Sequence, residues 1–232
     1  MRTKLKRDSH ENEPVLGVIP IGRGNDFAYG ADIPLTLKDS LNAIVHGKPA
    51  HMDVGLVKGG NYPDGRYFGN GIGVGFDTIV GLEAAKMKHI HGAAAYFIGA
   101  LKTLMLYPSA PDVELTYNEV TSRYSPALIS IMNGKRMGGS FYMTPDANNN
   151  DGVLNMCLTR QGSRRDLLKT MLYYLKGTQN SLDNTFTAQS SAFMLKAVNG
   201  SLAVHADGET ICETGKELEV ECIPNALKII KL

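Results

Sequence analysis

Val15-Leu16-Gly17-Val18-Ile19-Pro20-Ile21-Gly22-Arg23-Gly24-Asn25-Asp26-Phe27-Ala28 is the stretch that decides the fold. Its first half is a short apolar run stopped by proline, the pattern of a buried strand. Its second half is a glycine-rich polar turn in which Asn25 or Asp26 can cap whatever follows. Leu35, Leu37, Leu41, Ile44 and Val45 then recur at helical spacing, and Gly47-Lys48-Pro49 ends that helix. Strand, polar turn and helix in this order predict an α/β layer.

After Pro49 the texture changes. Short alternating segments fall at 52–58, 67–76, 113–117, 127–133, 153–158, 192–198, 202–206, 217–222 and 227–232. So many short strands predict a β-rich sandwich. Helices are expected near 92–106 and 164–176. No fixed-period repeat and no low-complexity linker interrupts the chain. The expected fold class is α/β plus β, an α/β piece up to about residue 50 followed by a β-rich domain.

Composition narrows the function classes. The 232 residues are 43% hydrophobic and 20% charged, an ordinary globular mixture with enough chain for a sizeable core. A net charge of +1 argues against a nucleic-acid partner held by bulk charge. Cys157, Cys212 and Cys222 are odd in number and lack metal-type spacing, so they read as reduced thiols in a cytoplasmic setting. The most apolar stretch, 92–107, is interrupted by Lys102 and is shorter than the ~20 residues that span a bilayer.

Four motifs carry chemistry. In Gly22-Arg23-Gly24-Asn25-Asp26 the glycines let backbone approach a ligand, and consecutive N–H groups can form an anion-binding nest. The same residues also suit a plain strand-to-helix turn. In 68–77 glycines alternate along a strand and leave one face bare for a ligand, another backbone or a helix. The run Asn148-Asn149-Asn150-Asp151-Gly152-Val153 crowds oxygen ligands into a turn, as a hard cation needs, but lacks the late glutamate of a twelve-residue calcium loop. His205-Ala206-Asp207-Gly208-Glu209 is a hairpin-type turn carrying two carboxylates, either of which can accept the proton an alcohol loses when it attacks a phosphoryl group. Two further features have bland and functional readings: the pair His89 and His91 as a metal site, and helix 164–176, with Arg164, Arg165, Lys169 and Lys176 beside leucines, as a membrane contact or an ordinary surface helix.

Taken in order, these motifs resemble the diacylglycerol kinase catalytic family, the soluble bacterial lipid kinases related to sphingosine and NAD kinases. The signposts are Ile19 to Ala28, Asp53-Val54-Gly55, 70–77, Gly92-Ala93-Ala94-Ala95-Tyr96, Asn133-Gly134 with Gly138-Gly139, Pro145 and Ala147 with Asp151-Gly152, and Asp207-Gly208-Glu209. The resemblance implies a nucleotide domain, 1–50 completed by 223–232, and a lipid-binding β-rich domain, 51–222. It implies ATP and Mg2+ as cofactors and a lipid substrate met at a membrane surface by a peripheral cytoplasmic enzyme of phospholipid biosynthesis. It makes Glu209 the catalytic base, Gly22, Arg23, Gly24, Asn25 and Asp26 the nucleotide site, and Asn148, Asp151 and Val153 the metal turn. A homodimer is an allowed assembly.

The family also carries a Gly-Gly-Asp-Gly-Thr phosphate loop before the strand equivalent to 15–19, and no such run occurs in the 232 residues. Arg23 replaces the usual threonine, and Tyr29 the usual arginine. The expectation is a kinase nearly inactive by itself, from a late start or one part of a split protein whose other chain supplies that loop. The rival expectations are a non-catalytic lipid- or nucleotide-binding module and a kinase acting on a non-lipid alcohol.

Overall fold

The computed structural model describes residues 14–22, 24–85, 98–99, 102–105 and 109–232. In chain order the elements are α1 (Asp26–Gly30), α2 (Leu37–His46), β1 (Lys48–Gly59), β2 (Tyr62–Phe68), β3 (Gly71–Gly75), α3 (Phe76–Ala85), β4 (Asp112–Tyr117), β5 (Val120–Tyr124), β6 (Pro126–Met132), β7 (Leu154–Arg160), α4 (Arg164–Lys176), β8 (Thr185–Ser190), β9 (Ala192–Asn199), β10 (Leu202–Ala206), β11 (Glu209–Gly215) and β12 (Glu217–Lys231). The strands form two six-stranded sheets, ordered β2-β1-β12-β9-β4-β5 and β11-β10-β3-β6-β7-β8.

Alternation builds the sandwich. Val57, Leu115, Leu195 and Val220 of the first sheet meet Ile72, Ile129, Met156 and Val204 of the second in one buried cluster. β6 and β7 are buried on nearly every residue, because Leu167 and Tyr174 of α4 and Phe76 and Val80 of α3 pack with Leu128, Met132 and Cys157. That second layer explains why 127–132 reads as a near-continuous apolar run rather than a strict alternation.

Local chemistry sets the helix ends. Thr36 caps α2 by accepting from the Asp39 N–H at 3.1 Å, and Gly47 closes it. Ser163 and Asp166 form a capping box at the start of α4, and Gly177 ends it with φ 69°.

Several expectations need correction. The segment 67–76 is two strands, β2 and β3, broken at Gly69-Asn70, and Phe76 opens a helix instead of ending a strand. The segments 217–222 and 227–232 belong to one long strand, β12. β5, β8 and α3 were not expected. Residues 98–99 and 102–105 are helical; the rest of the expected helix 92–106, with His89 and His91, lies outside the described residues.

β12 links the two parts of the molecule. Its start pairs with β9 inside the sandwich, and its end pairs with the start of β1 as far as Lys231 opposite Lys48. The β1–β12 register shifts between Met52 and Val54, and Asn225 takes φ 53° on the other strand. Beyond that bulge, Met52 and Ile229 pack with Ala28, Ala31 and Ile33. The run 15–19, expected as a buried strand, makes only an isolated parallel bridge from Leu16 to Ile229, the Leu16 N–H donating to the Lys228 carbonyl at 2.8 Å, and Val15, Leu16 and Ile19 stay exposed.

Candidate active site

The glycine-rich turn is closed by its own side chains. Asn25 adopts φ 53°, and its Oδ1 accepts the Gly22 N–H at 2.9 Å. α1 starts at the next residue. Arg23 lies outside the described residues. Asp26, with 15% of its side chain exposed, receives the Arg136 Nε–H at 2.9 Å and the Gly139 N–H at 2.9 Å. Arg136 also donates to the Gly24 carbonyl at 3.1 Å and lies 3.9 Å over the Tyr29 ring. Burial raises the Asp26 carboxyl above its ordinary value, against the opposing pull of the Gly139 N–H and the Arg136 charge.

From Arg136 the contacts run on to the second carboxylate turn. The Arg136 carbonyl accepts from Asn70 Nδ2 at 3.1 Å. The backbone N–H groups of Gly69, Asn70 and Gly71 all donate to the Asp207 carboxylate, at 2.7, 3.1 and 2.9 Å. Asp207 therefore breaks the strand expected over 67–76 by drawing three successive N–H groups out of the ladder. Asp207 and Gly208, at φ 48° and 85°, make the tight turn that closes Ala206 on Glu209. Glu209 is exposed at the start of β11. Phe27 lies against Gly69 so closely that a side chain there would meet its ring at 2.5 Å. The glycine-rich turn and the turn bearing Glu209 are thus linked by successive contacts through Arg136 and 69–71.

A buried pair fills the bare strand. His205, Gly73 and Ser130 are consecutive partners across β10, β3 and β6, so they share a sheet face. The His205 Nε2 lies 2.7 Å from Asp77 Oδ2, with 13% and 8% of the two side chains exposed. A Cβ on Gly73 would sit 2.3 Å from that carboxylate oxygen and 2.5 Å from that nitrogen. The glycine is there to admit the pair, which occupies the face that the alternating glycines leave bare. Burial by itself lowers the affinity of His205 for its proton; the Asp77 charge and hydrogen bond, with Asp207 adding, outweigh it, and the imidazole titrates above its ordinary value.

The folded chain holds this proton more tightly than the unfolded chain, so stability falls as pH rises. The contribution is complete below about pH 6.5, the value of a free histidine, and is lost as pH climbs through the folded value. Urea midpoints measured from pH 6 upward are expected to decline, and His205→Gln to flatten that decline. A variant with an unchanged slope would assign the proton to another group.

The proposed metal turn is less concentrated. Asn148 and Asp151 are exposed, Val153 is half-buried, and Asp151 Oδ1 accepts the Val153 N–H at 3.2 Å. Asn148 also lines a pocket of about 250 Å³ with Asp32, Lys135 and Asp146. Among the described residues no three His, Cys, Asp or Glu side chains gather at metal distance. An exposed carboxylate such as Asp151 is the kind of ligand a hydrated hard cation with few protein ligands takes.

Asp53 is the residue that holds this turn. Fully buried at the bulge, it accepts the Gly152 N–H and the Asn225 N–H, both at 2.7 Å. Its own N–H donates to the Asn149 carbonyl at 2.7 Å. Burial, with the charges of Asp53 and Asp151 nearby, pushes the Cys222 thiol up to about 12. Sequence reasoning overlooked Asn70, Asp77, Arg136 and His205 as site residues and treated Asp53 only as a signpost. The one signal for Asp53 was an acid in an otherwise apolar strand; nothing local marks Arg136.

Comparison with known proteins agrees with this architecture. Residues 70–231 match the YegS C-terminal NAD kinase beta sandwich-like domain, and residues 3–57 match the diacylglycerol kinase catalytic domain. A "Probable lipid kinase YegS-like" of Pectobacterium atrosepticum is 30% identical over 216 residues, covering 92% of this chain and 68% of that protein. A diacylglycerol kinase of Mycobacterium tuberculosis is 27% identical over 217 residues, covering 93% of this chain and 69% of that protein. The fold matches a crystal structure of a diacylglycerol kinase from Bacillus anthracis with TM-score 0.64 at 15% identity, over 96% of this chain and 68% of that one. The chain belongs to the lipid kinase family of the YegS and diacylglycerol kinase type.

Proposed function

We propose that the chain is the acceptor-binding and base-bearing part of an ATP-dependent kinase that phosphorylates a diacylglycerol-like hydroxyl. The observation that carries this reading is the unbroken set of contacts from Asp26 through Arg136 and Asn70 to the turn bearing Glu209. These contacts connect the glycine turn with the turn that carries the exposed Glu209, although the two are far apart in sequence.

In the proposed step the lipid oxygen attacks the γ-phosphorus, its proton passes to the Glu209 carboxylate, and the bond to the β-phosphate oxygen breaks to release ADP. In this reading Gly22, Arg23, Gly24, Asn25 and Asp26 would meet the phosphates; the Gly22 N–H is already taken by Asn25 Oδ1, and Asp26 is held by Arg136 and Gly139. Magnesium, when bound, neutralises phosphate charge, and Asn148, Asp151 and Val153 are the residues proposed to hold a structural ion.

The parts 1–50 with 223–232 and 51–222 act as nucleotide and acceptor halves. No Gly-Gly-Asp-Gly-Thr run occurs in the 232 residues; in this proposal such a loop completes the phosphate site. Calorimetric titration of this chain with ATP·Mg2+ and with dioctanoylglycerol is expected to show binding of both, with little phosphoryl transfer until the loop is supplied. Binding with no transfer even then would favour a non-catalytic module. Binding of neither ligand would end the proposal.

A further inference from the structure

α4 has two apolar faces, and the fold uses one of them. Leu167, Thr170 and Tyr174 point into the layer over the second sheet. Leu168, Leu172 and Leu175, spaced four and three residues apart on another face, remain 44%, 54% and 41% exposed. A strictly amphipathic surface helix would place polar side chains there. Instead the stripe is bordered by Arg165, Lys169 and Lys176, all exposed. The helix's single acid, Asp166, is occupied in the capping box with Ser163.

The helix is also fixed to the candidate active site. The Tyr174 carbonyl accepts the Tyr142 N–H at 2.8 Å, and Gln179, just beyond α4, donates to the Tyr142 and Met143 carbonyls at 2.8 and 2.9 Å. Tyr142 in turn meets Tyr29 edge-on, with ring centroids 6.0 Å apart, and Tyr29 carries Arg136, the partner of Asp26. Whatever holds the outer face of α4 therefore holds the site at a set distance from it.

We propose that the outer face of α4 docks on the surface of an anionic lipid bilayer, the leucines entering the interface and Arg165, Lys169 and Lys176 meeting the headgroups. Leucines flanked by cations are the composition of helices that lie in a membrane plane, and a cation near an anionic surface adds to the attraction. Neither a neutral bilayer nor an acidic protein groove matches both the apolar stripe and its basic border as well. The proposal deepens the lipid kinase reading, since a lipid acceptor must be taken from a bilayer, but its test does not depend on catalysis.

The test is co-sedimentation of the chain with extruded vesicles of phosphatidylcholine containing a quarter phosphatidylglycerol, without ATP or acceptor, beside vesicles of phosphatidylcholine alone. The chain is expected to partition onto the anionic vesicles and to leave them as salt is raised. Leu168→Ser with Leu172→Ser, and separately Arg165→Gln with Lys169→Gln and Lys176→Gln, should each weaken partitioning by about tenfold or more. Because these side chains are exposed, thermal melts should stay close to the parent. Failure of the chain to bind anionic vesicles, or equal binding by both variants, overturns the docking surface. So does a dimer in light scattering that the leucine variant dissociates, since the face would then be a contact between copies. Failure here with ATP and dioctanoylglycerol still bound leaves the kinase reading standing; vesicle binding with neither ligand bound leaves the surface and removes the kinase.

Discussion

Asp53→Ala is expected to lower the free energy of unfolding by about 2–4 kcal/mol, because it leaves two inward-facing N–H groups without an acceptor. The Gly152 and Asn225 amides both end on this carboxylate at 2.7 Å, one from the metal turn and one from the bulge of β12. Alanine brings no acceptor in its place, and the Asp53 side chain is itself fully buried. For a chain of this size the loss corresponds to a fall in melting temperature of roughly 5–15 °C. Asp53→Asn keeps one carbonyl oxygen and should fall between parent and alanine. An alanine variant as stable as the parent in urea would show that the bulge holds its shape without the carboxylate.

The second large effect concerns turnover. With the phosphate loop in place, Glu209→Gln should lower kcat by about a hundredfold or more, the usual contribution of a positioned general base. The ATP dissociation constant should stay within about threefold, because a base that acts on the acceptor hydroxyl contributes chiefly in the transition state. Glutamine keeps the shape of the side chain and its exposure at the start of β11, so the Asp207 turn behind it should be undisturbed. Substantial remaining transfer would move the base elsewhere, and Asp207, in the same turn, is the next carboxylate along the chain of contacts.

The parts of the fold that depend on neighbours in sequence were legible. α4 was expected over 164–176 and spans Arg164–Lys176, because a Ser-x-x-Asp start, a 3.6-residue apolar period and a closing glycine are all local. The Asp207-Gly208 hairpin was legible for the same reason, since two residues at positive φ need an Asp-Gly pair. The strand over 67–76 was misread because apolar residues and glycines continue through Gly69-Asn70 without any local stop. The stop is the Asp207 carboxylate, 136–138 residues away along the chain. α3 was missed because it is apolar on most sides, leaving little periodic contrast to read, and it is buried between β3 and the rest of its layer.

By itself, then, the order of residues determined the two kinds of layer, the turns between strands, the ends of α2 and α4, and the row of glycine and acid motifs that marks the family. The tertiary structure decided which distant residues come into contact. Asp26 meets Arg136 across 110 residues, His205 meets Asp77 across 128, and Asn225 meets Asp53 across 172. Backbone preferences and apolar period act over one or two turns of chain, so they are written locally. An ion pair or a buried carboxylate needs only that its partner be nearby in space, and the closure of the two sheets is what supplies that nearness.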